Sequence, residues 1–249
     1  DELFGGYSTH SRLMWTHQKI KHLPLSIRRI VSNGASFLPY GFKGREWLRN
    51  IDFDFEKNLP LVSSHFDNKL RCVLFNNLTL GHYAEKYRLS RVPKQEDLLR
   101  RMTSMDFENY LPEDILVKVD RASMLNSLEI RAPFLDKRII EFAFTKVHSL
   151  QKATSNQRKI LLKSLCKRIL PKNFDLQRKQ GFSIPLKEWL KKGPWRDFFY
   201  ETLRSSKIYN QVFIENLLKS QDKGRNNSER LFGLLMFQLW TEEYDIRMD

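Results

Sequence analysis

The sequence predicts a mainly α-helical protein with one or two short strands, and three observations carry that reading. Apolar residues recur three and four apart in several stretches, and caps and breakers punctuate those stretches. Strict apolar–polar alternation is confined to one short segment.

In chain order, residues 32–60 are the least regular part. Leu70, Val73, Leu74 and Leu78 define the first clear helical stripe, and Leu98, Leu99, Met102 and Met105 the second. Pro112, followed by Glu113 and Asp114, predicts a helix start, because proline suits a first turn and acids face its positive end. Leu128, Ile130, Ala132 and Phe134 alternate with Glu129 and Arg131, which predicts a short extended piece ending at Pro133. Asp136 predicts a cap ahead of Ile139 and Phe142. Ser155 or Asn156 caps a further helix through Leu161, Leu165 and Ile169, which Pro171 closes. A polar loop from Gln221 to Asn227 precedes the last stripe, Leu231 to Trp240. The sequence holds no internal repeat and no low-complexity segment.

Length and composition bound the function. A chain of 249 residues makes one large domain or two small ones. With 18 Phe, 8 Tyr and 5 Trp it has ample core material, which excludes intrinsic disorder, and 2 Cys exclude a disulfide framework. Cys72 and Cys166 lie in amphipathic stretches and read as two reduced core thiols of a cytoplasmic protein. No run approaches the ~18 apolar residues of a membrane span, so no membrane partner is expected. Residue 1 is Asp, with no charged-then-apolar leader before it, in a stretch that reads as the middle of a longer protein.

Charge is the strongest compositional signal, 43 Lys+Arg against 29 Asp+Glu. From Lys152 to Lys192 there are 12 basic and 2 acidic residues, leaving 31 against 27 elsewhere. Such a block suits a nucleic-acid footprint, a solvated face or the wall of a polyanion site.

Four places could carry chemistry. Asp1 and Glu2 precede the pair Gly5-Gly6, and adjacent carboxylates beside a close-approach backbone can hold Mg²⁺ near phosphates. Ile115 to Leu125 is apolar nearly all round and predicts a buried helix, in which Lys118, Asp120 and Arg121 need partners. Glu129 and Arg131 share one face of the extended piece, as a mutual ion pair or as part of a site. Arg158 and Lys159 fall in the predicted first turn of their helix, where cations oppose the helix dipole and free N–H groups suit an anion. Arg178 and Lys179 add two cations before Gly181. The six His show no metal spacing, and no Walker A, G-x-S-x-G or G-x-G-x-x-G string occurs.

Five strings occur in order: DELFGGY from Asp1, YLPEDILVKVDRASM (Tyr110 to Met124), SLEIRAPFLDKR (Ser127 to Arg138), the Lys159 helix, and RKQGFSIPLKEWL (Arg178 to Leu190). Together they resemble the C-terminal synthetase domain of glutamine-hydrolysing asparagine synthetases, over nearly the whole chain. The resemblance implies the helical C-terminal part of an adenine-nucleotide α-hydrolase-like α/β domain, with most of the parallel sheet upstream. Residues 1–249 would then be a single partial domain. It implies ATP and Mg²⁺ as cofactors, and aspartate with ammonia from a glutaminase domain as reaction partners. The aspartate carboxylate is adenylated with loss of pyrophosphate, and ammonia then displaces AMP. By the same resemblance Asp1 helps hold Mg²⁺ and pyrophosphate, its fellow ligands lying upstream, and Lys159 contacts the phosphates during adenylation. Asp120, Arg121, Arg131 and Lys179 fall in motifs near that site.

The S-G-G-x-D-S pyrophosphatase loop and the glutaminase domain of that family are absent from this sequence, so the chain alone is expected to be inactive. A homodimer of the full-length protein is left open. Three other readings stand beside this one: a relative amidating another carboxylate such as a sugar acid, a basic helical nucleic-acid-binding module, and a non-catalytic interaction domain.

Overall fold

The computed structural model describes residues 1–55, 59, 65–77, 81, 83–94, 96–176 and 184–246. The described residues are helical and contain no strand. Fourteen α-helices follow in order: α1 Ser8–Ile20, α2 Leu25–Ala35, α3 Arg45–Arg49, α4 Asn68–Leu74, α5 Tyr83–Ser90, α6 Leu98–Met105, α7 Val117–Met124, α8 Lys137–Thr145, α9 Ser149–Lys152, α10 Ile160–Ile169, α11 Leu186–Trp189, α12 Pro194–Ser205, α13 Gln211–Asp222 and α14 Ser228–Glu243. The chain divides into two compact units. One comprises Asp1–Pro24, Phe53–Ser63 and Tyr83–Lys179; the other comprises Leu25–Asp52, Ser64–His82 and Gln180–Asp249.

In the first unit α1 packs against α6. Leu99, Met102 and Met105 of α6 are buried with Leu59, Val92 and Ala153, which accounts for the apolar stripe read in the sequence. A second cluster gathers Leu3 and Phe4 with Ala143 of α8 and Val147 just beyond it. Its partly buried neighbours Leu161 and Leu162 come from α10, a helix with no fully buried residue. Asp97 and Asp136 cap α6 and α8, accepting from the backbone N–H of Arg100 at 3.1 Å and of Arg138 at 2.9 Å.

Pro112 does not open a helix. The backbone runs helically from Leu98 to Met124, and its middle, Asp106–Leu116, is wound as a π-helix with Pro112 inside it. A proline ring collides with the carbonyl four residues back in an α-helix, and a wider turn draws that carbonyl away from the ring.

The predicted burial of the next segment also fails. Ser123 is the buried residue of α7, while Val117, Met124 and Leu125 are exposed. Lys118 finds Asp114 one turn back at 3.5 Å, and Asp120 and Arg121 are solvent-facing. The all-round apolar pattern therefore marks a helix with a bare face in this chain. The segment after it, expected as a strand, forms none; its backbone is extended at Ala132 and leads into a 3₁₀ turn at Pro133–Leu135.

The second unit is built around one cluster in which Leu203, Ile214, Leu217, Leu218 and Leu231 are fully buried. α12 packs on α13 and α14, and α4 contributes Leu70 and Leu74. The stripe assigned to Leu70–Leu78 is helical only to Leu74, and Leu78 lies outside the described residues. Gln221, assigned to a polar loop, is buried in the last turn of α13 and accepts from the Asn227 N–H at 2.8 Å. Both cysteines are free, but only Cys72 is buried; Cys166 is half-exposed.

Two expectations follow. Asp120→Ala should change stability by less than about 1 kcal/mol, as at an exposed helix position, and denaturant unfolding checks it. Lys152, at the end of α9, is buried with its ammonium 4.9 Å from the Phe144 ring centroid. Burial lowers its pKa from 10.5 to about 8, Arg100 acting the same way and Asp97 against it. Between those values the unfolded chain holds more protons than the folded one, so stability should rise with pH across the window. Lys152→Met should flatten that rise in melting temperature measured from about pH 8 to about pH 10.

Candidate active site

The first seven residues form a tight turn in which the Gly6 N–H donates to the Asp1 carbonyl at 2.8 Å. Gly5 has φ +63°, and a Cβ there would lie 2.8 Å from the Ala153 Cβ, so glycine is required by both conformation and space. This turn lies against the loop that connects α9 to α10. Thr154 organises the loop: its N–H donates to the Gln157 carbonyl at 2.8 Å, and its hydroxyl accepts from the N–H groups of Asn156 and Gln157 at 3.3 and 3.1 Å.

Lys159 follows with φ 55° and ψ 40°, a left-handed conformation rare for a non-glycine residue. It stands at the N-cap position, and α10 begins only at Ile160. The expected caps, Ser155 and Asn156, therefore sit in the loop, and Lys159 is one residue ahead of the first turn. From there its Nζ reaches Asp1 Oδ1 at 2.5 Å, and Arg158 Nη1 donates to the Gly6 carbonyl at 3.3 Å.

Gly6 makes the pairing possible. A Cβ at this position would fall 1.9 Å from Asp1 Oδ1 and 2.4 Å from Lys159 Cε. The carboxylate and the lysine stem occupy the space that any side chain would fill.

The pair stands at the edge of a cavity of about 220 Å³, with Asp1, Glu2 and Lys159 on its polar side and Phe4, Phe134 and Leu162 among its apolar walls. Burial pushes the Lys159 ammonium below the usual lysine range; the Glu2 carboxylate opposes that and Arg158 adds to it. The Tyr7 hydroxyl donates to Glu2, and burial followed by that carboxylate drives the phenol well above its ordinary value. One helical turn on, His10 Nε2 and Asp106 Oδ2 meet at 2.7 Å, both buried, tying α1 to the first residue of the π-helix. A partly buried cation beside a carboxylate and a glycine turn can bind and polarise an anionic oxygen.

The structure thus brings together Asp1 and Lys159 of the six residues picked from sequence. Arg131 is exposed and donates to Glu129 at 2.6 Å, one of the two alternatives left open by the sequence; with Asp120 and Arg121 it is not among the cavity walls. Lys179 lies outside the described residues. Gly6 as a packing requirement and His10 with Asp106 were not singled out. His10, three residues beyond Tyr7, shares its helical face, and that spacing was the available signal.

No group of three or more metal-ligating side chains occurs among the described residues. A self-contained cation cage is therefore not what the described residues form. Mg²⁺ carried on phosphates needs only one or two carboxylates from the protein, and Asp1 at the cavity edge fits that lesser demand.

Asp1 and Lys159 are thus an ion pair in the lining of one cavity. The chain belongs to the asparagine synthase family, whose model matches residues 1–242. It is 30% identical over 253 residues to proteins of Mycobacterium bovis and Mycobacterium tuberculosis provisionally named glutamine-hydrolysing asparagine synthetases; the match covers 96% of this chain and 37% of theirs. It is 25% identical over 255 residues to the glutamine-hydrolysing asparagine synthetase 1 of Bacillus subtilis, covering 96% of this chain and 38% of that protein. The chain thus spans little more than a third of the length of these relatives. No solved structure matches it.

Gly6→Ala is the sharpest steric test of the site. It should force Asp1 and Lys159 apart and lower stability by about 1–3 kcal/mol, as overpacking does. Denaturant unfolding reads this directly, with Gly34→Ala, where a Cβ meets nothing within 4 Å, as the control that should not be destabilised.

Proposed function

We propose that this chain is part of an ATP-dependent amidotransferase that converts aspartate to asparagine with ammonia released from glutamine. The observation that carries the proposal is the Asp1–Lys159 pair at 2.5 Å on the cavity edge, closed over Gly6. Family membership and the names of the relatives support the reaction class.

A carboxylate is a poor electrophile. In the proposed reaction one oxygen of the aspartate side chain attacks the α-phosphorus of ATP, the bond to the bridging oxygen breaks, and pyrophosphate leaves with the electron pair. Ammonia then adds to the activated carbonyl carbon, a proton is lost, and AMP departs with the carbon–oxygen electron pair. Lys159 stabilises the charge that builds on the α-phosphate and the departing pyrophosphate. When bound, Mg²⁺ supplies further neutralisation of that charge, and Asp1 is the residue of this chain that would hold it. Arg158, bonded to the Gly6 carbonyl, keeps the glycine turn seated beneath the pair.

Substitutions at Lys159 in the full-length protein test this. Lys159→Ala and Lys159→Gly should each lower kcat about 10²–10³-fold at saturating ATP and aspartate, the worth of one charge-stabilising group. Lys159→Gly should nonetheless be more stable than Lys159→Ala by about 1 kcal/mol, because glycine adopts the left-handed backbone without strain. Lys159→Arg should not restore the rate, since a planar fork does not replace a compact ammonium. Lys167→Ala, exposed two turns along α10, should stay within about three-fold of wild type, as surface substitutions do. Equal losses at Lys159 and Lys167 would refute the specific role of Lys159.

A further inference from the structure

In the proposed reaction Asp1 faces a cation and Lys159 faces phosphate oxygens. In the structure each faces the other, with Lys159 Nζ 2.5 Å from Asp1 Oδ1. This is a direct charge-assisted contact between side chains that are 37% and 25% exposed, so solvent screens it only in part. The two side chains share the clearance over Gly6, where a Cβ would fall 1.9 Å from Asp1 Oδ1 and 2.4 Å from Lys159 Cε. A phosphate oxygen that takes up the ammonium therefore competes with Asp1. A cation that takes up the carboxylate competes with Lys159.

The surroundings sharpen that competition. Lys159 is the one basic side chain among the described cavity walls, which also hold the carboxylates of Asp1 and Glu2. Glu2 accepts from the Tyr7 hydroxyl and lies 3.3 Å from the Asp1 nitrogen. Arg158 Nη1 is engaged by the Gly6 carbonyl at 3.3 Å. A bare polyanion thus meets two carboxylates and an ammonium that is already paired. A bare divalent cation meets a carboxylate with an ammonium 2.5 Å away, and like charges at such range repel. An anion that carries its own divalent cation gives both side chains a new partner in one step. The loss of the pair is then offset twice, which is a positive coupling between the two ligands.

We infer that the Asp1–Lys159 pair is a latch that a divalent cation and a polyphosphate open together, so that the site takes pyrophosphate or a triphosphate chain as its metal chelate and excludes the metal-free anion. Asp1 then has a second role beside holding the cation. By occupying Lys159 it sets the specificity for the chelate. The inference rests on the proposed phosphate-handling role of this site and adds how its ligands gain entry.

Isothermal titration calorimetry of the full-length protein with inorganic pyrophosphate tests it, once with excess Mg²⁺ and once with a chelator that removes divalent cations. The wild type should bind pyrophosphate about 10²-fold more tightly with Mg²⁺, towards the upper end of ordinary coupling between ligands. Asp1→Asn keeps the shape of the side chain and removes its charge. It should tighten metal-free pyrophosphate about ten-fold, because Lys159 is released, and shrink the effect of Mg²⁺. Glu2→Gln takes a carboxylate from the same edge without unpairing Lys159, and its gain should be smaller. In the double variant Asp1→Asn/Lys159→Ala the gain should vanish. Metal-free binding that is unchanged or weaker in Asp1→Asn would overturn the inference, since a carboxylate that only ligates the cation has no effect there. An equal gain in Glu2→Gln, or a gain that survives in the double variant, would do the same by reducing the effect to general charge. Equal affinity of the wild type with and without Mg²⁺ would overturn the latch and leave the phosphate role of Lys159 standing. Absence of pyrophosphate binding in every condition would refute that role and the latch with it.

Discussion

Two side chains that are not there hold the site together. The turn at Gly5 and Gly6 and the loop before α10 approach so closely that neither glycine has room for a methyl group. Ala153 fills the space over Gly5, and Asp1 with Lys159 fills the space over Gly6. Remove that clearance and the polar edge of the cavity cannot form, whatever charges remain. The turn leads straight into α1, whose buried His10 is joined to Asp106 at 2.7 Å. A buried pair of this kind is costly to break from one side, because the remaining partner has no solvent to turn to. The close approach at the surface is thus backed by a polar link beneath it.

The same region carries two departures from regular backbone, and both lie within a short span of the cavity. Lys159 is held left-handed, at a cost of about 1–2 kcal/mol for a residue with a side chain. The helix that follows α6 is wound wide for eleven residues, Asp106–Leu116, and Leu111 on it is a cavity wall. Strain of this sort persists where surrounding contacts over-determine it, and it gathers at working sites. At Lys159 the contacts are identifiable: the Thr154 hydroxyl and carbonyl partners fix the loop, and the Asp1 carboxylate holds the ammonium at its far end.

Much of this was legible in the residues. Capping by Asp136, closure of α10 ahead of Pro171, and the helical stripes from Leu98 and from Leu231 follow from local rules that tertiary structure did not override. The ordered motifs identified the family, and two of the site residues they pointed to, Asp1 and Lys159, meet in space. What failed did so for definable reasons. Pro112 was read by its commonest role at a helix start, and periodicity carries no sign that a helix will widen to accommodate it. The burial expected for Ile115 to Leu125 assumed that an apolar surface is a covered one, and in this chain Met124 and Leu125 face solvent. Lys159 was placed in a helical turn because backbone handedness at a non-glycine residue leaves no mark in composition.

The division of the chain into segments bears on its synthesis. The second compact unit draws on residues 25–52, 64–82 and 180–249, so its parts leave the ribosome in three instalments. Leu70 and Leu74 are buried against a cluster completed by Leu231, Leu234 and Leu235, more than 150 residues later. At about 5–20 residues per second, α4 waits on the order of ten seconds before its core exists. During that interval its apolar face is available to chaperones and to neighbouring nascent chains. A slow codon tract between Gln180 and Leu231 would lengthen the wait, whereas one placed before Asn68 would not. Yield of folded protein is therefore expected to respond to where translation slows, with no change in the amino-acid sequence.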